Sequence, residues 1–166
     1  HAEWIKQVQE WKKEYPVMYK AVPEDKLVPQ EVLEELDKII KGNAIITTDV
    51  GQHQMWAAQY LSYENPDHMI TSGGAGTMGF GMPAAVGAQI AMPDKKVISI
   101  SGDGGFQMTF QELMMLKQYN LPVKVIILNN SFLGMVRQWQ EIFNEKRYSF
   151  VDLDHNPDFI KIGEAY

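Results

Sequence analysis

The chain has 166 residues, with 15 Lys and Arg against 21 Asp and Glu, a net charge of −6 at pH 7, and no cysteine. The acidic balance argues against nucleic-acid binding, which needs a basic face to meet phosphates; the lack of cysteine excludes disulfides and thiolate zinc sites and suits a reducing compartment. No apolar run approaches the ~20 residues that span a bilayer, and Glu3, Lys6, Glu10, Lys12 and Lys13 interrupt any signal-peptide pattern.

The length fits one domain. In chain order, Trp4, Ile5, Val8 and Trp11 have helical spacing and predict an amphipathic helix over Glu3–Glu14. Pro16 and Pro23 mark 15–28 as a linker, so residues 1–28 are expected to be a helix and linker ahead of a domain at 29–166. Pro29 opens a second helix with Val32, Leu33, Leu36, Ile39 and Ile40 as its stripe and Gly42 as its stop. Ala44–Val50 is a β-branched run, hence a strand. Gln52–Ser62 predicts a helix, His68–Thr71 a short strand, and Ser72–Met82 a glycine-rich loop before a helix opened by Pro83 and running through Met92. Lys96–Ser101 predicts a strand, Thr109–Tyr119 a helix, Val123–Leu128 a buried strand, and Leu133–Asn144 a helix. Asn156 is expected to cap a last helix with Pro157 at its first position. His1 lacks a preceding methionine and Ile160–Tyr166 stops within a helical pattern, so the chain is expected to be an excised piece of a longer one. Strands alternating with helices predict an α/β fold, a parallel sheet with helices on both faces.

In such sheets ligands bind beyond the carboxyl ends of the strands. Gly51-Gln52-His53 follows the first strand, Gly102-Asp103-Gly104-Gly105 the third, and Asn129-Asn130 the fourth. The glycines let the backbone approach a ligand closely, and a helix from about Phe106 points free N–H groups at the same spot, an anion site by geometry. Asp103 in its midst would repel a phosphate. A hard divalent cation resolves the conflict, because Mg²⁺ accepts carboxylate, amide and phosphate oxygens together. The residues therefore point to a diphosphate held through Mg²⁺ by Asp103 and Asn130. Taken singly, Asp103 also reads as a helix cap and Asn129-Asn130 as a turn; together, across a strand–helix–strand unit, they favour the metal.

Gly102-Asp103-Gly104 followed by Asn129-Asn130 resembles the signature of thiamine-diphosphate enzymes. Val50–Ala58 (VGQHQMWAA), Gly76–Ala85 (GTMGFGMPAA), Gly134–Gln140 (GMVRQWQ) and Asn156–Ala165 (NPDFIKIGEA) are similar to acetolactate synthases, from about Leu27 to the end. The resemblance implies the thiamine-diphosphate-binding fold, with thiamine diphosphate and Mg²⁺ as cofactors. It implies metal ligation by Asp103, Asn130 and the carbonyl of Phe132, whose side chain cannot coordinate. Gln52 and His53 are expected at the diphosphate, and Met78 as a wedge that bends the cofactor. Gly51, Gly76, Gly102, Gly104, Gly105 and Gly134 are expected close to it. Met135, Val136 and Trp139 are expected to line the pocket, Trp139 in the substrate channel. Arg137, Lys146 and Arg147 read as solvated cations.

The implied activity is decarboxylation of pyruvate and condensation of the two-carbon unit with pyruvate or 2-ketobutyrate, in branched-chain amino-acid biosynthesis. The activating glutamate is expected from a separate N-terminal domain of a partner subunit, so this piece alone is expected to be inactive. FAD in the full-length enzyme, a homodimer or homotetramer, a regulatory small subunit, and a cytoplasmic location (plastid in a plant) are further implications. Related parents are pyruvate oxidase, glyoxylate carboligase and the catabolic acetolactate synthase; the GMVRQWQ stretch favours the anabolic one. A dinucleotide-binding oxidoreductase is the rival from Gly74-Ala75-Gly76-Thr77-Met78-Gly79, which fits G-x-G-x-x-G. Against it, Pro83 places the next helix after all the glycines. A non-enzymatic interface module, using Trp4, Trp11, Trp56 and Trp139, is the other.

Overall fold

The β-branched runs form the sheet. In the computed structural model, which describes residues 1–20, 22–23 and 25–166, the strands are β1 (Ile45–Thr48), β2 (Met69–Thr71), β3 (Val97–Gly102) and β4 (Lys124–Leu128). All pairings are parallel, in the order β2-β1-β3-β4. The expected linker, 15–28, contains Ala21 and Glu24, which lie outside the described residues.

Successive strand residues face opposite sides, and both sides are apolar. Ile46, Ile98 and Ile100 pack under Leu33 and Ile40 of helix α2 (Pro29–Ile40) and Ala57 of helix α3 (Gln52–Tyr60). Ile45 and Val97 pack on the other face against Ala85 and Ala88 of helix α4 (Gly81–Ala91). Coverage of both faces is what a parallel sheet requires, and the predicted fold class holds. Leu33, Ile46 and Ile100 are fully buried; cutting any of them to Ala would cost about 2–5 kcal/mol. Helix α1 (Ala2–Glu14) buries none of its residues, and Trp4 and Trp11 stay exposed, edge to face with each other.

The strand order places a switch point. From β1 the chain passes through α3 to β2 on one side, then returns through α4 to β3 on β1's other side. Loops leaving β1 and β3 therefore diverge and open a crevice at their carboxyl ends. Into it feed helix α5 (Asp103–Thr109), which follows β3 directly, and helix α7 (Gly134–Phe143), which follows β4 after a short loop.

Several boundaries differ from expectation. Helix α4 begins at Gly81, so Pro83 sits inside the first turn, where its missing N–H is harmless. The start still follows all the glycines of the 74–79 run, which counts against the dinucleotide fingerprint. The helix expected over Thr109–Tyr119 is broken into the end of α5, a 3₁₀ turn (Phe110–Glu112) and helix α6 (Leu113–Gln118). Thr109 leaves helical geometry at φ −141° while its hydroxyl donates to the Gly79 carbonyl at 3.0 Å. Asn156 does not cap helix α8 (Phe159–Ala165); Asp158 does, accepting from the N–H groups of Ile160 and Lys161. Arg137 is not a freely solvated cation. Its guanidinium lies 4.2 Å from the Phe132 ring centre and 4.0 Å from that of Tyr148.

Candidate functional site

The register fixes the key juxtaposition. Gly102 of β3 pairs with Leu128 of β4, so Asp103 and Asn129-Asn130 leave adjacent strand tips at the same end of the sheet. Around these tips lies a cavity of about 460 Å³, within the range of small-molecule sites.

Its walls contain thirteen residues expected from sequence: Gly51, Gln52 and His53; Met78; Gly102, Asp103, Gly104 and Gly105; Asn130 and Phe132; and Gly134, Met135 and Val136. Gly76 and Trp139 are not among them. Gly76 lies in the exposed loop before α4, and Trp139 is 58% exposed, packed on Phe143. The walls also include Leu27, Val28, Pro29 and Val32 from the start of α2, and Trp56 from α3. Sequence reading gave these to a linker or to helix packing, and a helical apolar stripe alone does not say which part of it meets a ligand.

Asp103 is 1% exposed, and among the described residues its carboxylate accepts one side-chain hydrogen bond, from Asn156 Nδ2 at 2.7 Å. A buried carboxylate is costly unless donors or a cation compensate it. Asn130 is exposed, its Oδ1 accepting from the Phe132 N–H at 3.1 Å and retaining a second lone pair. The loop behind it is fixed by short antiparallel pairing. Leu133 N–H donates to Val151 O and Leu153 N–H to Ser131 O, each at 2.8 Å.

His53 is buried, and its Nε2 has no hydrogen-bond partner among the described residues. Burial lowers its pKa from 6.5 to about 4, with the Asp49 carbonyl opposing the shift, so the ring is neutral at pH 7. Gly51 and Gly102 make room for it, since a Cβ on either would stand about 3 Å from the ring. Gly51 also takes φ +152°, a conformation that favours glycine.

Asp49 is the residue sequence reading missed. Fully buried at the tip of β1, it accepts from the N–H groups of Val50 and Gly79. Burial raises its pKa while these N–H groups oppose the rise. It thereby fixes the loop that carries Met78 into the cavity wall.

The oxygen-rich donor set of Asp103, Asn130 and the Phe132 carbonyl suits a hard divalent cation rather than a soft metal. His53 Nε2, without a partner among the described residues, and the Gln52 amide add polar groups to the cavity wall. A family described as "Thiamine pyrophosphate enzyme, C-terminal TPP binding domain" matches residues 49–166. The chain is 52% identical to the mitochondrial acetolactate synthase catalytic subunit of Saccharomyces cerevisiae over 168 residues, 99% of this chain and 24% of that protein. It is 52% identical over 164 residues to the acetolactate synthase large subunit of Lactococcus lactis, 99% of this chain and 28% of that one. It thus spans about a quarter of the length of these relatives. Among solved structures, a thiamine diphosphate-dependent 4-hydroxybenzoylformate decarboxylase of Rhodococcus jostii RHA1 superposes with a TM-score of 0.77 at 28% identity, over 90% of this chain and 28% of that one.

Proposed function

Because this chain belongs to the thiamine pyrophosphate enzyme family, as its C-terminal cofactor-binding domain, we propose that the cavity holds the diphosphate end of thiamine diphosphate through Mg²⁺, within the catalytic subunit of an acetolactate synthase. The observation that carries this is the buried Asp103 carboxylate beside Asn130 on neighbouring strand tips. Asp103, Asn130 and the Phe132 carbonyl would hold the metal, whose charge offsets both the carboxylate and the phosphates. Gln52 and His53 would contact the diphosphate, the Gln52 NH₂ keeping one N–H beyond the one it gives to Gln138 Oε1.

Bound thiamine diphosphate supplies an electron sink for decarboxylation of a 2-keto acid. The chain's part is to orient it and keep the pocket dry. Met78, in the cavity wall, would support the cofactor from below, and Gly104 keeps the backbone beside it close to Leu133, whose Cδ2 would stand 2.8 Å from a Cβ there. Met135 and Val136, at the start of α7, would form the apolar wall toward the substrate.

The name acetolactate synthase, carried by the relatives, supports a place in branched-chain amino-acid biosynthesis; pyruvate as donor, with pyruvate or 2-ketobutyrate as acceptor, is part of the proposal. The term "large subunit" in those names supports a regulatory small-subunit partner. A partner subunit's glutamate as cofactor activator, a homodimer or homotetramer, FAD in the full-length enzyme, and a cytoplasmic or plastid location complete the proposal. No helix among the described residues is long and apolar enough to cross a membrane.

Calorimetric titration tests the reading. The chain is expected to take up thiamine diphosphate only with Mg²⁺, and not to take up NADH. Uptake of NADH without uptake of thiamine diphosphate would reverse the assignment. The full-length subunit is expected to form acetolactate from pyruvate, and this chain alone to form none.

A further inference from the structure

Asn156 belongs to no helix, yet it sits at the centre of a hydrogen-bond relay beneath Asp103. Its Nδ2 donates to Asp103 Oδ2 at 2.7 Å and to Asn129 Oδ1 at 3.1 Å. Its Oδ1 accepts from Gln107 Nε2 at 2.8 Å, and the same Nε2 donates to the Asp103 carbonyl at 3.2 Å. A backbone carbonyl can only accept, so the group facing it must be the Gln107 NH₂. That leaves Asn156 Oδ1 as the acceptor and its NH₂ as the double donor. The relay therefore fixes both amides without ambiguity.

We infer that Asn156 is a positioning residue for the metal ligand Asp103: held by Gln107, it occupies Oδ2 and assigns Oδ1 to the divalent cation. This rests on the proposed Mg²⁺–thiamine diphosphate site. The same NH₂ bridges Asp103 and Asn129, so one side chain clasps the residues that follow the β3 and β4 tips. An aspartate at this position would face two acceptor oxygens with no donor. An asparagine, which offers two N–H groups and one acceptor oxygen, matches all three neighbours. Partners of this kind, one bond removed from a metal, orient the ligand and typically change metal affinity by about 10- to 100-fold.

The test uses the full-length subunit, titrated with Mg²⁺ at fixed thiamine diphosphate, with uptake read from tryptophan fluorescence and apo stability from thermal melting. Asn156→Ala is expected to raise the Mg²⁺ needed for half-saturation about tenfold or more and, because the buried Asp103 carboxylate loses its side-chain donor, to lower the apo melting temperature while the subunit stays folded at the titration temperature. Gln107→Leu, which reaches the site from another element, is expected to shift it in the same direction by less. The double variant is expected to be no worse than Asn156→Ala, because both act through one relay. A wild-type Mg²⁺ requirement in Asn156→Ala, or defects that multiply in the double variant, would overturn the inference alone. A wild-type subunit with no Mg²⁺-dependent uptake would overturn the cofactor site and the inference with it.

Discussion

Asp49 accepts the Gly79 amide hydrogen through both carboxylate oxygens, at 2.9 and 3.1 Å, across 30 residues of chain. The tip of β1 and the loop bearing Met78 are therefore held as one piece. Asp49→Ala is expected to cost about 1.5–3 kcal/mol, the usual range for hydrogen bonds to a charged group. Asp49→Asn, which keeps an acceptor oxygen, should lose less than half of that. Urea midpoints would measure both, and equal losses would show that charge rather than geometry holds the loop.

Gly105 faces the same carboxylate. A Cβ there would stand 2.6 Å from Asp49 Cγ and Oδ2, so Gly105→Ala is expected to destabilise by about 1–3 kcal/mol through overpacking. Because the clash is with that one side chain, Asp49→Gly in the same chain should recover part of the loss. Additive losses in a double-mutant cycle would refute the coupling.

His53 predicts an acid sensitivity. Its pKa is about 4 in the fold against 6.5 as the ordinary value, so below pH 6.5 the unfolded chain takes up a proton that the folded chain refuses. Stability should fall as pH drops from about 6.5 towards 4, by at most about 3 kcal/mol. Asp49 works the other way: its raised pKa lets the fold take up a proton before the unfolded chain does, which favours the fold on acidification. His53→Asn should therefore flatten the decline, and a slope of melting temperature against pH that the substitution leaves unchanged would count against it.

Asp103→Ala and Asn130→Ala should each weaken Mg²⁺-dependent uptake of thiamine diphosphate at least tenfold, as loss of a metal ligand does at least as much as loss of its supporting partner. The apo fold should survive both, because Asp103 accepts only one side-chain hydrogen bond among the described residues and Asn130 is exposed. Calorimetry against melting curves separates the two effects.

Arg137 should not be replaceable by Lys. Its planar group stacks between Phe132 and Tyr148 and lies 3.9 Å from Asp152, a geometry an ammonium cannot reproduce. Arg137→Lys is expected to cost about 1 kcal/mol, seen as a lower urea midpoint. An unchanged midpoint would mean that the backbone pairing of 131–133 with 151–153 suffices.

The sheet was readable because β-branched runs such as Ile45–Thr48 and Val97–Ile100 carry their own signal, and the alternation with helices dictated parallel pairing. The cavity was largely readable too, since the residues after parallel strands must share one edge. What escaped were partnerships made at a distance. Asn156 stands just before Pro157, a local pattern that suggests a cap, while its true partners Asp103 and Asn129 lie 53 and 27 residues away. Asp49 prolongs a strand-like run, and nothing local shows that Gly79 and Gly105 will close around it. Arg137 looked solvated because cation–aromatic stacking depends on where Tyr148 folds back.

The cavity draws its walls from the tips of β1, β3 and β4, from the start of α2 and from the loop before α4, so no single segment of the chain can present it. A ligand that recognises this composite surface has no counterpart to grip in the unfolded chain, and occupancy becomes thermodynamically linked to folding. At a free concentration 100 times its dissociation constant, such a ligand adds about 2.7 kcal/mol to the whole domain's stability, a sizeable share of the margin by which a chain of this size stays folded.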